Sequence, residues 1–155
     1  MKKIFILVLA AFFAVSCLDD SDEITLPSNE ITNSLASGTV YGSDFTIGGG
    51  KVQATDFFDV PSFRFWMTEE ALGCETLGFS GFPIVVTSPN TVGVHTVNTY
   101  ATFTDAEADS FISFSSDITV EIISITDDLV VGKVRAIDSF TNNAIEGRFE
   151  LPLCE

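Results

Sequence analysis

ITVEIISITDDLVVGKVRAIDSFTNNAIEGRFEL, residues 118–151, is three β-strands written in alternation. Successive side chains of a strand point to opposite faces, so every second residue shares one. Ile118, Val120 and Ile122 fall together, as do Val130, Gly132, Val134 and Ala136, then Ile145, Gly147, Phe149 and Leu151. A register opposing Glu121 to Lys133, and Arg135 to Glu146, pairs opposite charges outward and sets Phe149 opposite Gly132 inward. A large ring over a glycine fits a flat pleat. Thr126-Asp127-Asp128 and residues 138–143 supply the turns, with Asn142 and Asn143 suited to positive φ.

The same texture reaches back to Gly38, where β-branched and aromatic runs are punctuated by Gly, Pro, Asn and Asp. Candidate strands are 38–47, 50–57, 62–68, 82–88, 92–100 and 110–116, followed by 117–125, 129–137 and 145–151. No long segment keeps an apolar i, i+3, i+4 stripe. One helical turn is expected at 105–109, because Thr104 and Glu107 have capping-box spacing. The fold class is therefore all-β: a single antiparallel β-sandwich of about seven to nine strands, with a small up-and-down β-barrel as the alternative.

The N-terminus has a different composition. Lys2 and Lys3 precede an apolar run over 4–15, whose twelve residues are too few for a membrane-spanning helix. Ala14-Val15-Ser16-Cys17 resembles the lipobox of bacterial lipoproteins. The resemblance implies removal of residues 1–16 as a signal peptide and a diacylglycerol and N-acyl lipid, palmitate among the acyl chains, on Cys17. That covalent lipid is the one cofactor-like group expected. An ordinary secretory signal is the alternative, but it would strand an odd cysteine. Residues 17–36 then form the lipidated cysteine and an acidic flexible tether of at most about 60 Å, and residues 37–155 the β-domain.

Past the cut, five basic residues (Lys51, Arg64, Lys133, Arg135, Arg148) face 22 acidic ones, a formal charge of −17. Nucleic acid is excluded as a partner, since affinity there comes from Lys and Arg neutralising phosphates. Between Arg64 and Lys133 there are ten acids and no basic residue, a surface that attracts cations or basic partners. With Cys17 lipidated, Cys74 and Cys154 remain as an even pair in an oxidising compartment and are expected to form a disulfide worth about 4 kcal/mol.

Motifs for chemistry are few. His95 is the sole histidine and reads as a solvated strand residue. Gly48-Gly49-Gly50-Lys51 lacks the first glycine and the hydroxyl of a phosphate loop, Phe45 and Val52 standing in their places. Carboxylate pairs such as Asp56 and Asp59 carry no specificity among 22 acids. Asp105, Glu107 and Asp109 alternate like the start of a calcium loop, but Ser110 and Ser116 replace its glycine and its bidentate glutamate, leaving a weak Ca²⁺ candidate beside a capped turn. In Phe63-Arg64-Phe65-Trp66-Met67, Arg64 and Trp66 share a face. If exposed, Trp66 is a stacking platform for a sugar ring, with Arg64, Tyr41 and Tyr100 as companions; if covered, it is core.

Gly38-Thr39-Val40-Tyr41-Gly42, the extended segment leading to Cys74, Pro89 to Gly93 ahead of a strand, and Gly132-Lys133-Val134 through Gly147-Arg148-Phe149-Glu150-Leu151-Pro152-Leu153-Cys154 resemble small outer-membrane or surface lipoproteins of Bacteroidota, Flavobacteriia among them. Asp19, Asp20, Asp22 and Glu23 are similar to the acidic export signal of such proteins, although Leu18 departs from the usual polar start. The resemblance implies an outer-membrane address, lipid-anchored and facing the cell surface, with the periplasmic face as the alternative. It implies no activity and no catalytic residue. The functional expectation is a non-enzymatic binding or accessory module for an unknown protein or glycan. The alternative is a glycan-binding accessory protein of polysaccharide uptake, or a carbohydrate-active hydrolase.

Overall fold

A computed structural model describes residues 30–75 and 82–155. The signal segment, Cys17 and the acidic tract at Asp19, Asp20, Asp22 and Glu23 lie outside the described residues. Every regular element described is a strand: β1 (Ser37–Val40), β2 (Ser43–Thr46), β3 (Gly49–Phe57), β4 (Val60–Thr68), β5 (Ile84–Pro89), β6 (Gly93–His95), β7 (Tyr100–Asp105), β8 (Ser110–Phe114), β9 (Ile118–Ile125), β10 (Leu129–Asp138) and β11 (Asn143–Cys154).

The strands form one mixed sheet in the order β6-β9-β10-β11-β3-β4-β5-β7-β8, with the β1–β2 hairpin added on β11. It curls into a half-barrel around a single core. The fold is all-β, as the alternation implies, with two differences in detail. Among the described residues eleven strands replace seven to nine: the expected 38–47 is broken at Tyr41 and Gly42, whose φ values are 47° and 80°, the expected 92–100 shrinks to β6 ahead of Asn98, at φ 54°, and β7, past Tyr100, covers residues not expected to form a strand. One strand-to-strand pairing is also parallel, Leu153 with Val52 and Cys154 with Gln53, beside an isolated parallel bridge of Leu35 with Arg148. The strand pairing arises because β11 is twelve residues long and outruns β1, so its end reaches β3.

Along β10–β11, and along β9–β10 as far as Ile122, the C-terminal register is the one alternation specifies; beyond Ile122 the β9–β10 pairing shifts by one residue, with Val131 opposite Ser124. Phe149 lies opposite Gly132, Lys133 opposite Glu121, and Arg135 opposite Glu146. Phe149 is fully buried, and a Cβ built on Gly132 would stand 2.6 Å from its ring and 2.5 Å from the Glu121 carbonyl oxygen. Glycine is required there. From the far wall Phe65 meets Phe149 at 5.0 Å between ring centroids, closing the core between β4 and β11. Outward, Lys133 Nζ approaches Glu121 at 3.5 Å, and Arg135 donates from Nε and Nη2 to the two Glu146 oxygens at 2.9 and 3.1 Å.

Residues 30–36, which composition assigns to a tether, pack on the domain. Ile31 and Ala36 are buried, the Ala36 N–H donates to the Arg148 carbonyl at 2.8 Å, and the Arg148 N–H donates to the Ser34 carbonyl at 2.7 Å. Residues 30–36 therefore belong to the domain, held by β11, and the boundary at residue 37 moves back accordingly.

At the β10–β11 turn, Asp138 is buried and accepts hydrogen bonds from the Thr141 hydroxyl and from the Phe140 and Thr141 N–H groups at 3.1 and 3.2 Å. The Thr141 hydroxyl bond above all holds its carboxyl below the usual aspartate value, against the opposing effect of burial. Glu146 is lowered likewise, first by its hydrogen bonds from Arg135. A depressed folded value means that each group's stabilisation is complete above its unfolded pKa, ~3.9 for Asp and ~4.3 for Glu, and is lost as pH falls through the folded one. Thermal melts should thus be flat above about pH 5 and fall steeply below about pH 4. Asp138→Asn should lower the Tm at pH 7 by several degrees, on the order of 1–2 kcal/mol, and flatten the acid limb. An unchanged acid limb in the variant would assign the acid loss elsewhere.

Candidate functional site

Strand β4 positions the expected platform. Its inward residues Phe63, Phe65 and Met67 join the core, so Arg64 and Trp66 face outward, as alternation requires. The outward face is nevertheless covered at Trp66, which is 5 % exposed. Phe82 packs on its indole edge to face at 5.8 Å between centroids, and Lys51, opposite Trp66 on β3, brings its ammonium to 6.0 Å from the indole and 5.6 Å from the Phe82 ring. Arg64 lies 5.9 Å from the same indole. These are cation–π distances, and they fill the faces that a sugar ring would need. Trp66 is core under a second layer, and the stacking platform is not assembled.

Its companions are dispersed. Tyr100 shares the outward row with Arg64, one strand removed through Thr87, and leans on Phe57 at 5.7 Å. Tyr41 sits at another end, where its hydroxyl donates to the Phe103 carbonyl at 3.4 Å and its N–H donates to Asn143 Oδ1 at 2.5 Å. Burial first, then the negative fields of Asp105 and Asp138, push its phenol above the ordinary tyrosine value.

Tyr41 lines an open cleft of about 190 Å³ with Asp44, Glu69, Asp105 and Glu107. Four carboxylates around one mouth make it a cation-attracting surface. Asp105, Glu107 and Asp109 do not converge into a calcium loop. Asp105 Oδ1 instead accepts the Glu107 and Ala108 N–H groups, both at 3.0 Å, and the expected helical turn capped by Thr104 is a turn capped by Asp105. Among the described residues no group of three or more His, Cys, Asp or Glu is placed to hold a metal ion.

The remaining motifs are structural where they are described. His95 pairs across to Val120, and its Nε2 donates to the Thr91 carbonyl at 2.7 Å. In the glycine run, the Gly48 and Gly50 N–H groups donate to the Thr68 and Leu72 carbonyls at 2.9 and 2.8 Å, so they do not cradle an anion. Asp59 occupies the β3–β4 hairpin tip at φ 63°, beside Phe58 at 49°, both positive as a tight hairpin turn demands. Cys74 and Cys154 are disulfide-bonded, with Cα atoms 5.5 Å apart across 80 residues. The bond closes the end of the parallel β11–β3 seam.

Sequence reasoning missed what covers Trp66. The covering residue, Phe82, opens the expected strand 82–88 but lies just ahead of β5, which begins at Ile84, and no local signal says that it packs on Trp66. No protein-family model, curated protein or solved structure matches the chain.

Proposed function

We propose that this protein is a lipid-anchored lipoprotein of the cell envelope, held in the outer membrane by acylated Cys17 and serving as a non-enzymatic binding or accessory module. One observation carries the reading: a basic start, a twelve-residue apolar run and Ala14-Val15-Ser16-Cys17 in the first 17 residues. Two further features support it. The chain leaving Cys17 is fastened to the domain by residue 30, so at most about 40 Å of extended chain separates lipid from fold. The domain's outward cations on β10 and β11, Lys133, Arg135 and Arg148, are each ion-paired, leaving an acidic exterior suited to a basic partner.

Cys17→Ala should abolish incorporation of a palmitate analogue and leave the signal segment uncut, seen as a shift of about 2 kDa on a gel. Protease added to intact cells should digest the wild-type protein if it faces outward and spare it if it faces the periplasm. Undiminished labelling of the variant would overturn the anchor.

A further inference from the structure

Strand β8 ends the sheet, and among the described residues it pairs with β7 alone. A terminal strand presents backbone N–H and C=O groups with no ladder partner, and natural sheets blunt such edges with charge, proline or brevity. The other ends here are blunted. β6 is three residues long and begins with Gly93 at φ 137°, and β2 is four residues long and carries Asp44. β8, Ser110-Phe111-Ile112-Ser113-Phe114, has no charge and no proline. Phe111 is 70 % exposed, while Ile112 and Phe114 pack on the core yet stay only partly buried. Among the described residues the half-barrel is open along this strand.

We propose that β8 is a self-pairing edge, joined antiparallel to β8 of a second copy of this chain about a two-fold axis through Ile112. The sequence of the strand argues for that occupant. In a two-fold contact residue i meets j and j meets i, and about Ile112 the register sets Ser110 against Phe114 and Phe111 against Ser113. Each phenylalanine meets a serine, large against small, on both faces of the extended sheet. Phe111 and Ser113 share the outer face with their β7 partners Thr104 and Thr102, and Ile112 and Phe114 share the inner face with Phe103 and Ala101. A one-residue slip would turn inner side chains outward. A two-residue slip brings Ile112 against Phe114, or Phe111 against its own twin. Within β8 no acid opposes an acid, and Asp109 just outside it meets Ser115; the first like-charge pair of the register, Glu107 with Asp117, falls beyond the strand, in a chain of net charge −15. Five residues a side make a small interface of the transient class. The pairing does not depend on lipid at Cys17.

The full chain carrying Ile112→Cys, exported by its own signal and run on a non-reducing gel, should give a reducible band of twice the monomer mass. On the axis, residue 112 lies about 4.5–5.5 Å from its twin, within disulfide reach. Ser110→Cys lies about 14 Å from its twin and should stay monomeric, whereas Ser110→Cys combined with Phe114→Cys should restore the doubled band. Phe111→Lys, at an exposed position, should cut the Ile112→Cys band at least fivefold. Equal bands from Ile112→Cys and Ser110→Cys, no band from a folded Ile112→Cys, or an adduct of any other mass would overturn self-pairing. Should Ile112→Cys fail to fold, sedimentation of the wild-type chain against Phe111→Lys decides. A concentration-dependent dimer lost in the variant supports the pairing, and identical sedimentation overturns it.

Discussion

Phe149→Ala is expected to destabilise the domain by about 3–5 kcal/mol, the range for deleting a fully buried ring. Phe149 has no exposure, rests on Gly132 and meets Phe65 from the opposite wall, so its loss empties the contact that joins β11 to β4. Neighbours collapse poorly into that space, because Gly132 has no side chain and Phe65 is itself fixed by Phe63 at 6.1 Å. A typical domain holds only about 5–15 kcal/mol in all. The reciprocal change, Gly132→Val, should cost as much or more, since its added carbons would meet the Phe149 ring and the Glu121 carbonyl. Urea unfolding followed through Trp66, the sole tryptophan and a buried one, measures both. A loss under about 1 kcal/mol for Phe149→Ala would show the inter-wall contact to be incidental.

Removing the disulfide is the second large effect. Closing an 80-residue loop is worth about 4–5 kcal/mol of unfolded-state entropy, and native strain reduces the measured figure. Cys154→Ser should therefore lower the Tm by on the order of 10 °C. Cys74→Ser should match it, and the double variant should be no worse than either, since the two sulfurs form one interaction. The damage should be local: the parallel seam has only two residue pairs, Leu153 with Val52 and Cys154 with Gln53, so amide exchange should rise there first. Equal melting with and without reductant would remove the bond from the stability of the fold.

Legibility in the sequence followed the range of the forces involved. The pairing of β10 with β11, and of β9 with β10 as far as Ile122, could be read because alternation, two charge pairs and one ring over glycine all demanded the same register, and each is a neighbour-strand effect; the one-residue shift past Ile122 left no such signal. The disulfide could be read from cysteine parity. By contrast, residues 30–36 resemble a polar tether, and what orders them is the backbone of Arg148, more than 100 residues away. Trp66 shows the same division: β4's alternation put it outward, while Phe82 and Lys51 decided that outward would be buried. At 105–109 the error was one residue of chemistry, because Asp105, a stronger acceptor than Thr104, takes the free N–H groups itself.

The fastening of residues 30–36 also sets how this protein bears mechanical load. Tension along the chain upstream of Glu30 enters through the Arg135 contact to the Glu30 carbonyl at 3.3 Å, the Thr32 contact to Glu146 at 3.2 Å, and the two backbone bonds to Arg148. All of these converge on β10 and β11. Strand β11 has neighbours on both sides and ends in a covalent link to Cys74, so a tug is spread across the middle of the sheet before it reaches the end strands β6 and β8. Drag on such a domain would strain its best-braced strand first and its open edges last.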